Sequence, residues 1–211
     1  MKINGNNDIP DCKVVLIGDS GVGKSSIISR YIGGIFVDSI DSTISSSFSQ
    51  KEYEANGKKV RLNIWDTAGQ EKFRSIGRNF YKDAYIILMV YDITNKQSFE
   101  DLKSVWFPEI QQFGEKYKII AIVGNKSDRY EEENVSESEL NSFSKELGGT
   151  NFLVSAKNGN GIELMFKILA EMFLNPNFQD TIENRESFRD RVASVRLEDA
   201  IDKKTNIFKC C

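Results

Sequence analysis

A glycine-rich segment near the start of the chain has the residue types and spacing of a phosphate-binding loop. In such a loop, backbone N–H groups surround phosphate oxygens, a lysine adds charge at the β- and γ-phosphates, and a serine hydroxyl can bind Mg²⁺. The alternative is an ordinary glycine-rich turn, but an apolar strand precedes this segment and a helix follows it, which favours the phosphate loop. The segment therefore predicts a bound nucleoside triphosphate with Mg²⁺. It matches the pattern G-x-x-x-x-G-K-[ST] through Gly18, Asp19, Ser20, Gly21, Val22, Gly23, Lys24 and Ser25.

A second segment, Asn125-Lys126-Ser127-Asp128, indicates which base the nucleotide carries. The carboxylate of Asp128 can accept both edge N–H donors of guanine. Adenine presents an acceptor at the ring position and no amine beside it, so a buried carboxylate facing adenine would keep its full desolvation cost. Alone, the segment would be a commonplace loop, but it follows an apolar strand downstream of the phosphate loop. It predicts a guanine nucleotide, and it disfavours a metabolic kinase or ATPase, which would also need a second substrate site and a lid.

A third segment, Trp65-Asp66-Thr67-Ala68-Gly69-Gln70-Glu71, places an aspartate at the end of an apolar strand. The alternative is a strand that ends in an ordinary aspartate-containing turn. Beside a phosphate loop, however, a carboxylate at a strand end is well placed to hold Mg²⁺ through a water molecule. We therefore predict that Asp66 belongs to the same site.

Short apolar strands alternate with amphipathic helical stretches, and the three motifs follow strands. Asn56-Gly57 predicts a hairpin, and Pro108 predicts a kink or the start of a new helix. The alternation favours an α/β, doubly wound, six-stranded and mostly parallel sheet with one antiparallel strand and about five helices. Because ligands bind at the carboxyl ends of strands in this architecture, the motifs should converge in one crevice. Strands are predicted at 13–17, 48–54, 58–65, 86–91, 119–123 and 152–154, and helices at 24–32, 98–113, 137–147 and 162–173.

The composition limits the classes of function. The chain has 211 residues and a formal net charge of −3, which provides no basic field for nucleic acid. It contains no His, which excludes imidazole catalysis and His-ligated zinc. Its three cysteines do not make a disulfide framework, and residues 1–11 show no apolar signal region, so we expect a cytosolic protein. We predict a flexible N-terminus over 1–11, one domain over 12–175 and a flexible tail over 176–211.

Segments that are more specific than the nucleotide motifs resemble the Ras superfamily of small GTPases and, within it, the Rab family. They are residues 61–65, 72–76, 80–84 and 89–94. The resemblance implies a P-loop GTPase fold, GTP and GDP as substrate and product, and Mg²⁺ as cofactor. Residues 106–110 are somewhat similar to Rho relatives, but the stretch between the second motif and Ser155 is too short for the extra helix of those relatives.

The resemblance also implies roles for individual residues. Gln70 would orient the attacking water, with Lys24 and Thr43 completing the catalytic set, and Thr43 would join Ser25 and Asp66 at Mg²⁺. The other implied nucleotide contacts are Ser26, Phe36, Gly69, Asn125, Lys126, Asp128, Ser155, Ala156 and Lys157. The implied effector surface consists of Ile40, Ile44, Phe48, Trp65 and Phe80.

Partners and a location follow from the same resemblance. A Rab protein is a monomer that works in vesicle trafficking with an exchange factor, a GTPase-activating protein, a GDP-dissociation inhibitor or escort protein, and effectors. The terminal pair Cys210-Cys211 is similar to the family's double-cysteine prenylation signal. The resemblance implies geranylgeranyl groups on both cysteines, and two lipid chains anchor a protein stably where one binds only marginally. The protein would then lie on the cytoplasmic face of an intracellular or plasma membrane, with a soluble cytosolic pool.

Two departures in the first switch leave another function open. After Thr43 the family usually has a glycine, a hydrophobic residue, an acidic residue and a phenylalanine, whereas this chain has Ile44-Ser45-Ser46-Ser47-Phe48. Ile40 stands where an aromatic residue is usual. The presence of Gln70 and Thr43 favours a GTPase that cycles, and the departures keep open a poorly cycling GTP-binding scaffold.

Overall fold

The computed structural model describes residues 9–36, 47–55, 57–67, 81–113 and 119–175, and its centre is a six-stranded sheet. The strand order is β2-β3-β1-β4-β5-β6, in which β2 and β3 pair antiparallel and the other pairs are parallel. This arrangement confirms the predicted doubly wound sheet. In chain order the strands are β1 (Asp11–Ile17), β2 (Ser47–Ala55), β3 (Lys58–Asp66), β4 (Ile86–Asp92), β5 (Ile119–Asn125) and β6 (Thr150–Leu153).

Five α-helices have their bounds within the described residues, as the sequence predicts. A π-helical turn, Leu102–Trp106, joins the second helix to the third, and a 3₁₀-helix, Ser127–Glu132, follows β5. The predicted strand and helix ends differ from the observed ones by no more than two residues. The α-helices are α1 (Lys24–Gly33), α2 (Lys96–Asp101), α3 (Phe107–Phe113), α4 (Glu137–Glu146) and α5 (Ile162–Leu174).

The predicted hairpin joins β2 to β3. Ala55 pairs with Lys58 across the turn, so two residues make the connection. Gly57 has a φ of +72°, the left-handed conformation that a two-residue hairpin turn requires. The turn fixes the register that brings Phe48 opposite Trp65 at the far end of the pair.

Apolar side chains pack on both faces of the sheet and hold the strand ends in place. Every residue of β4 and β5 is buried, as expected for central parallel strands. On one face, α1 and α5 meet through Tyr31 and Phe166, whose rings stack with centroids 3.8 Å apart. A separate apolar cluster contains Phe99, Trp106 and Phe143, which come from α2, the π-helical turn and α4.

The π-helical turn is the structural consequence of Pro108. The N–H of Phe107 donates to the carbonyl of Leu102, five residues earlier, instead of the residue four earlier. In a regular α-helix the ring of Pro108 would clash with the carbonyl of Ser104 and would leave it without its N–H donor. The wider turn accommodates the proline, which then lies in the first turn of α3. Of the two outcomes that Pro108 predicts, the structure shows the new helix start.

Residues 1–8 and the predicted tail over 176–211 lie outside the described residues. Among the helices that are described, none combines the length and the apolar character needed to cross a membrane.

Candidate functional site

The predicted motifs lie together at the edge of the sheet where the parallel strands end. β1 leads into the glycine loop after Ile17, β3 ends at Asp66, and β5 ends at Asn125. The loop that contains Ser155 follows β6. Because these strands share one sheet and run parallel, segments from distant parts of the sequence meet at this edge, where the ligand crevice of such an architecture lies.

The glycine loop has a conformation that its glycines make possible. Gly18, Gly21 and Gly23 have φ values of +133°, +79° and +94°, which other residues rarely adopt. A Cβ on Gly18 would also lie 2.1 Å from the carbonyl oxygen of Val90 in β4. The loop therefore packs tightly against the sheet before it enters α1, as a phosphate-binding loop must.

Lys24 is buried at the point where this loop enters α1. Its ammonium donates to the carbonyl oxygens of Gly18 at 2.7 Å and Asp19 at 2.8 Å. Burial lowers the pKa of Lys24 to about 8, although the carboxylates of Asp66 and Asp19 act in the opposite direction. A cation that is only partly compensated favours an anionic ligand, and phosphate oxygens are the anions that such a loop accommodates.

Ser25 and Asp66 form a polar pair beside Lys24. The Ser25 hydroxyl donates to Oδ2 of Asp66 at 2.5 Å. Oδ1 of Asp66 is buried and has no hydrogen-bond partner among the described residues. Burial raises the pKa of Asp66, while Ser25 and Lys24 lower it. A hydroxyl beside a buried carboxylate with an unused oxygen fits Mg²⁺, which prefers oxygen ligands and keeps several of its waters.

Asn125 connects the phosphate loop to the loop after β6. Its side-chain N–H donates to the carbonyl of Val22 at 2.9 Å, and its side-chain oxygen accepts from the N–H of Ala156 at 3.1 Å. The residue is 1% exposed, so both hydrogen bonds are shielded from water. One carboxamide therefore fixes the distance between the two ends of the crevice.

The loop after β6 is held on two sides. The Ser155 hydroxyl donates to Oδ1 of Asp128 at 2.5 Å, which orients the carboxylate predicted to read guanine. From α1, the guanidinium of Arg30 donates to the carbonyls of Ala156 at 2.8 Å and Lys157 at 2.5 Å. These contacts bring the second motif and the segment 155–157 together.

Asp92 is a site residue that the sequence analysis missed. Its carboxylate pairs with the ammonium of Lys126 at 2.7 Å and accepts from both the N–H and the hydroxyl of Thr94. Although burial acts in the opposite direction, these hydrogen bonds hold the pKa of Asp92 below its usual range. Lys126 has a φ of +66°, uncommon for a residue other than glycine, so the ion pair stabilises an unfavourable backbone conformation. Asp92 ends a buried strand just as Asp66 does, and that signal could have identified it.

Three further predicted site residues are described, and the remaining ones lie outside the described residues and stay predictions. Phe36 lies at the edge of a described segment and packs, partly buried, against the core cluster of α1 and α5. Ser26 is half-buried in the first turn of α1, and Ser20 is exposed on the glycine loop. The predicted site residues that are not described are Ile40, Thr43, Ile44, Gly69, Gln70, Phe80, Cys210 and Cys211.

Two residues of the predicted effector surface are neighbours on the open face of the sheet. The rings of Phe48 and Trp65 contact each other with centroids 5.1 Å apart. Phe48 is 51% exposed, which is high for a phenylalanine. A shallow cavity of about 390 Å³ lies beside this pair, lined also by Asp11, Lys13, Gln50, Arg61 and Asn63. An exposed phenylalanine beside a half-buried tryptophan is a suitable contact for another protein.

The chain is similar to known sequences along most of its length. The chain matches the Ras family over residues 13–175, a range that includes every described nucleotide motif. It is 35% identical to Ras-related protein Rab-26 of Rattus norvegicus, over 99% of this chain and 79% of that protein. It is 39% identical to Ras-related protein Rab-30 of Homo sapiens, over 83% of this chain and 86% of that protein. Identity to Ras-related protein Rab-37 of Homo sapiens is 32%, over 94% of this chain and 85% of that protein.

The contact between Asp92 and Lys126 generates a prediction about affinity. We expect Asp92→Asn to weaken binding of GDP and GTP equally, by roughly tenfold, because Lys126 loses a charge-assisted hydrogen bond at the base end while the phosphate end is unchanged. Competition against a fluorescent guanine nucleotide measures both affinities.

Glu132→Gln is the matched control for this substitution. It also removes one carboxylate from an ion pair in the same region, but the pair of Glu132 with Arg129 is exposed. The control should leave both affinities unchanged. Wild-type affinities in Asp92→Asn, or a loss confined to GTP, would show that Asp92 does not support the base-reading loop.

Proposed function

The chain belongs to the Rab family of small GTPases, within the Ras superfamily, and from this premise we propose that it is a membrane-anchored switch that binds GTP, hydrolyses it to GDP and phosphate, and recruits effectors in intracellular vesicle trafficking. The observation that supports this proposal most strongly is the double hydrogen bond of Asn125 to Val22 and Ala156. It joins the glycine loop, proposed to bind the phosphates, to the loop after β6, which lies beside the motif proposed to read guanine.

In this proposal the base is recognised by the loops that follow β5 and β6. Asp128 accepts the two edge N–H groups of guanine, and the hydroxyl of Ser155 keeps that carboxylate in position. Adenine would leave the carboxylate facing an acceptor, so ATP should be rejected strongly. Phe36 would pack against the guanine ring, and the segment 155–157 would cover its carbonyl.

The phosphate end depends on Lys24 and on the pair of Ser25 and Asp66. Lys24 would donate to β- and γ-phosphate oxygens. Ser25 directly, Thr43 directly and Asp66 through a water molecule would hold Mg²⁺, and the unused buried oxygen of Asp66 supports this assignment. When bound, the cation neutralises charge on the phosphate oxygens.

Hydrolysis in this proposal needs positioning and charge more than covalent chemistry. Gln70 would orient the attacking water in line with the γ-phosphate, and Lys24 would stabilise the charge that develops on the transferred group. No arginine is assigned to the reacting phosphate, so we infer that a GTPase-activating protein supplies the additional charge. Slow hydrolysis without that protein would let the GTP state last long enough to signal.

Switching would follow from the loss of the γ-phosphate. Thr43 and Gly69 would lose their contacts to it, and both switch segments would relax. Effectors would sense the difference on the surface of Ile40, Ile44, Phe48, Trp65 and Phe80. An exchange factor would then release GDP, and a GDP-dissociation inhibitor or escort protein would carry the lipid-modified protein through the cytosol.

Gln70→Leu tests the catalytic assignment. We expect the variant to bind GTP with wild-type affinity and to lose hydrolysis, because an aliphatic side chain cannot orient water. Single-turnover hydrolysis of preloaded GTP measures the rate, and Gln97→Leu, a glutamine substitution in α2, is the matched control.

The same comparison separates the switch from the alternative function. The departures Ile40 and Ser45-Ser46-Ser47 keep open a scaffold that binds GTP and cycles poorly. For such a scaffold, the wild-type protein would retain intact GTP as long as Gln70→Leu does. Equal rates in the two proteins would therefore remove the catalytic role of Gln70.

The C-terminal cysteines are the proposed membrane anchor. Residues 12–175 would form the switch domain, and 176–211 would tether it to the bilayer. The cations Lys203, Lys204 and Lys209 are offset by Asp199 and Asp202, so charge alone gives little membrane affinity. Geranylgeranyl groups on Cys210 and Cys211 would supply two chains, which suffice for stable anchoring.

Substitution of both cysteines tests the anchor. Cys210→Ser/Cys211→Ser should be entirely soluble after fractionation of the cells that express it, while each single variant should bind membranes weakly and reversibly, because it keeps one lipid chain. Mass spectrometry of the C-terminal peptide should show two prenyl groups on the wild-type protein. Unmodified cysteines in the membrane fraction, or a double variant that still sediments with membranes, would be incompatible with this anchor.

A further inference from the structure

Trp106, the last residue of the π-helical turn, contacts the phosphate loop. Its indole N–H donates to Oδ1 of Asp19 at 2.8 Å. The indole is 3% exposed, so the hydrogen bond lies at the edge of the core and not in bulk water. Position 19 is one of the unspecified positions of the glycine-loop pattern, and the proposed mechanism gives the side chain of Asp19 no role.

The main chain of Asp19 holds Lys24. The Lys24 ammonium donates to the carbonyl of Asp19 at 2.8 Å and to that of Gly18 at 2.7 Å. Asp19 is therefore fixed on two sides, by the indole at its side chain and by the ammonium at its carbonyl. If the side chain lost its donor, the peptide that follows Asp19 could rotate and take with it one of the two acceptors that locate the ammonium.

Asp101, at the end of α2, destabilises the Asp19 carboxylate, so that this carboxylate depends more on the indole donor. The carboxyl group of Asp101 lies near that of Asp19 and raises the pKa of Asp19. Burial raises the pKa of Asp19, and Asp101 acts in the same direction, whereas the Trp106 indole and Lys24 act in the opposite direction. The indole N–H thus stabilises the Asp19 carboxylate against burial and against an acidic neighbour.

The π-helical turn determines where the indole lies. An extra residue in a helical turn rotates the residues after it around the helix axis relative to those before it. Trp106 ends this turn, and Pro108, two residues later, accounts for it by the steric argument above. Pro108 therefore accounts both for the π-helical turn and for the position of the indole against the phosphate loop.

We propose that Trp106 is a positioning residue for nucleotide binding, which acts through Asp19 to keep the Lys24 ammonium at the β- and γ-phosphates. This inference rests on the proposed nucleotide site, because Lys24 has this role only when phosphates occupy the crevice. It has a specific consequence: a nucleotide with a β-phosphate benefits from Trp106, and a nucleoside monophosphate does not.

Trp106→Phe tests this consequence, because phenylalanine keeps an aromatic ring and removes the N–H donor. In the full-length protein, we expect the affinity for GDP to fall roughly tenfold and the affinity for GMP to stay at the wild-type value. Competition against a fluorescent guanine nucleotide gives both affinities. Phe107→Leu is the matched control, since Phe107 is the next residue and packs on Phe143; it should leave the GDP-to-GMP affinity ratio unchanged.

A double-mutant cycle tests whether the effect passes through Asp19. If it does, Asp19→Ala should show the same selective loss of GDP affinity, and Trp106→Phe combined with Asp19→Ala should bind GDP no more weakly than Asp19→Ala alone. Wild-type GDP affinity in Trp106→Phe, equal losses for GDP and GMP, or additive losses in the double variant would overturn the inference.

Two further measurements distinguish a failure of this inference from a loss of folding and from a failure of the proposed function. If far-UV circular dichroism shows that Trp106→Phe does not fold, Asp19→Ala carries the test, and unchanged GDP affinity in that variant overturns the inference. A wild-type protein that binds neither GDP nor GTP would instead contradict the proposed function, together with the inference that rests on it.

Discussion

The carboxamide of Asn125 is the contact on which the rest of the site depends. It is buried at the end of a central strand, and it uses one hydrogen bond for the phosphate loop and one for the loop after β6. Loss of this side chain would leave the carbonyl of Val22 and the N–H of Ala156 without these partners, at a cost of about 1–3 kcal/mol for each buried group. The contact also requires glycine at position 23, because a Cβ on Gly23 would lie 2.3 Å from the carboxamide nitrogen of Asn125. One residue of the sheet thus fixes the position of the glycine loop relative to the loop after β6.

The buried charged groups in this crevice favour the binding of an anionic ligand together with a cation. Lys24 is a buried ammonium whose nearest acceptors are two neutral carbonyls, and burial lowers its pKa to about 8. Asp66 is a buried carboxylate with one oxygen that lacks a hydrogen-bond partner among the described residues. A phosphate group beside Lys24 and a divalent cation beside Asp66 would compensate both groups at once. In the proposed complex, binding energy therefore comes from groups whose burial is unfavourable without a ligand.

The sequence predicts much of this arrangement because the signals are local. Apolar runs locate the strands to within two residues, Asn56-Gly57 predicts the hairpin, and each nucleotide motif follows a strand whose carboxyl end faces the crevice. What it does not predict depends on contacts between distant residues. Asp92 pairs with Lys126 only because β4 and β5 are adjacent, and Trp106 meets Asp19 only because a π-helical turn orients the indole. Pro108 indicates that the helix changes there, but not in which direction the preceding side chain then points.

The most direct measurement of the central claim is single-turnover hydrolysis by the wild-type protein, with GTP and ATP compared in the presence and absence of Mg²⁺. If the crevice holds a guanine nucleotide and its cation as proposed, bound GTP will be converted slowly to GDP and phosphate with Mg²⁺, and removal of Mg²⁺ with a chelator will stop the reaction. ATP should neither bind at comparable concentration nor be hydrolysed, because the proposed role of Asp128 is to reject adenine. Hydrolysis of ATP at the rate of GTP, or hydrolysis of GTP that is indifferent to Mg²⁺, would contradict the account.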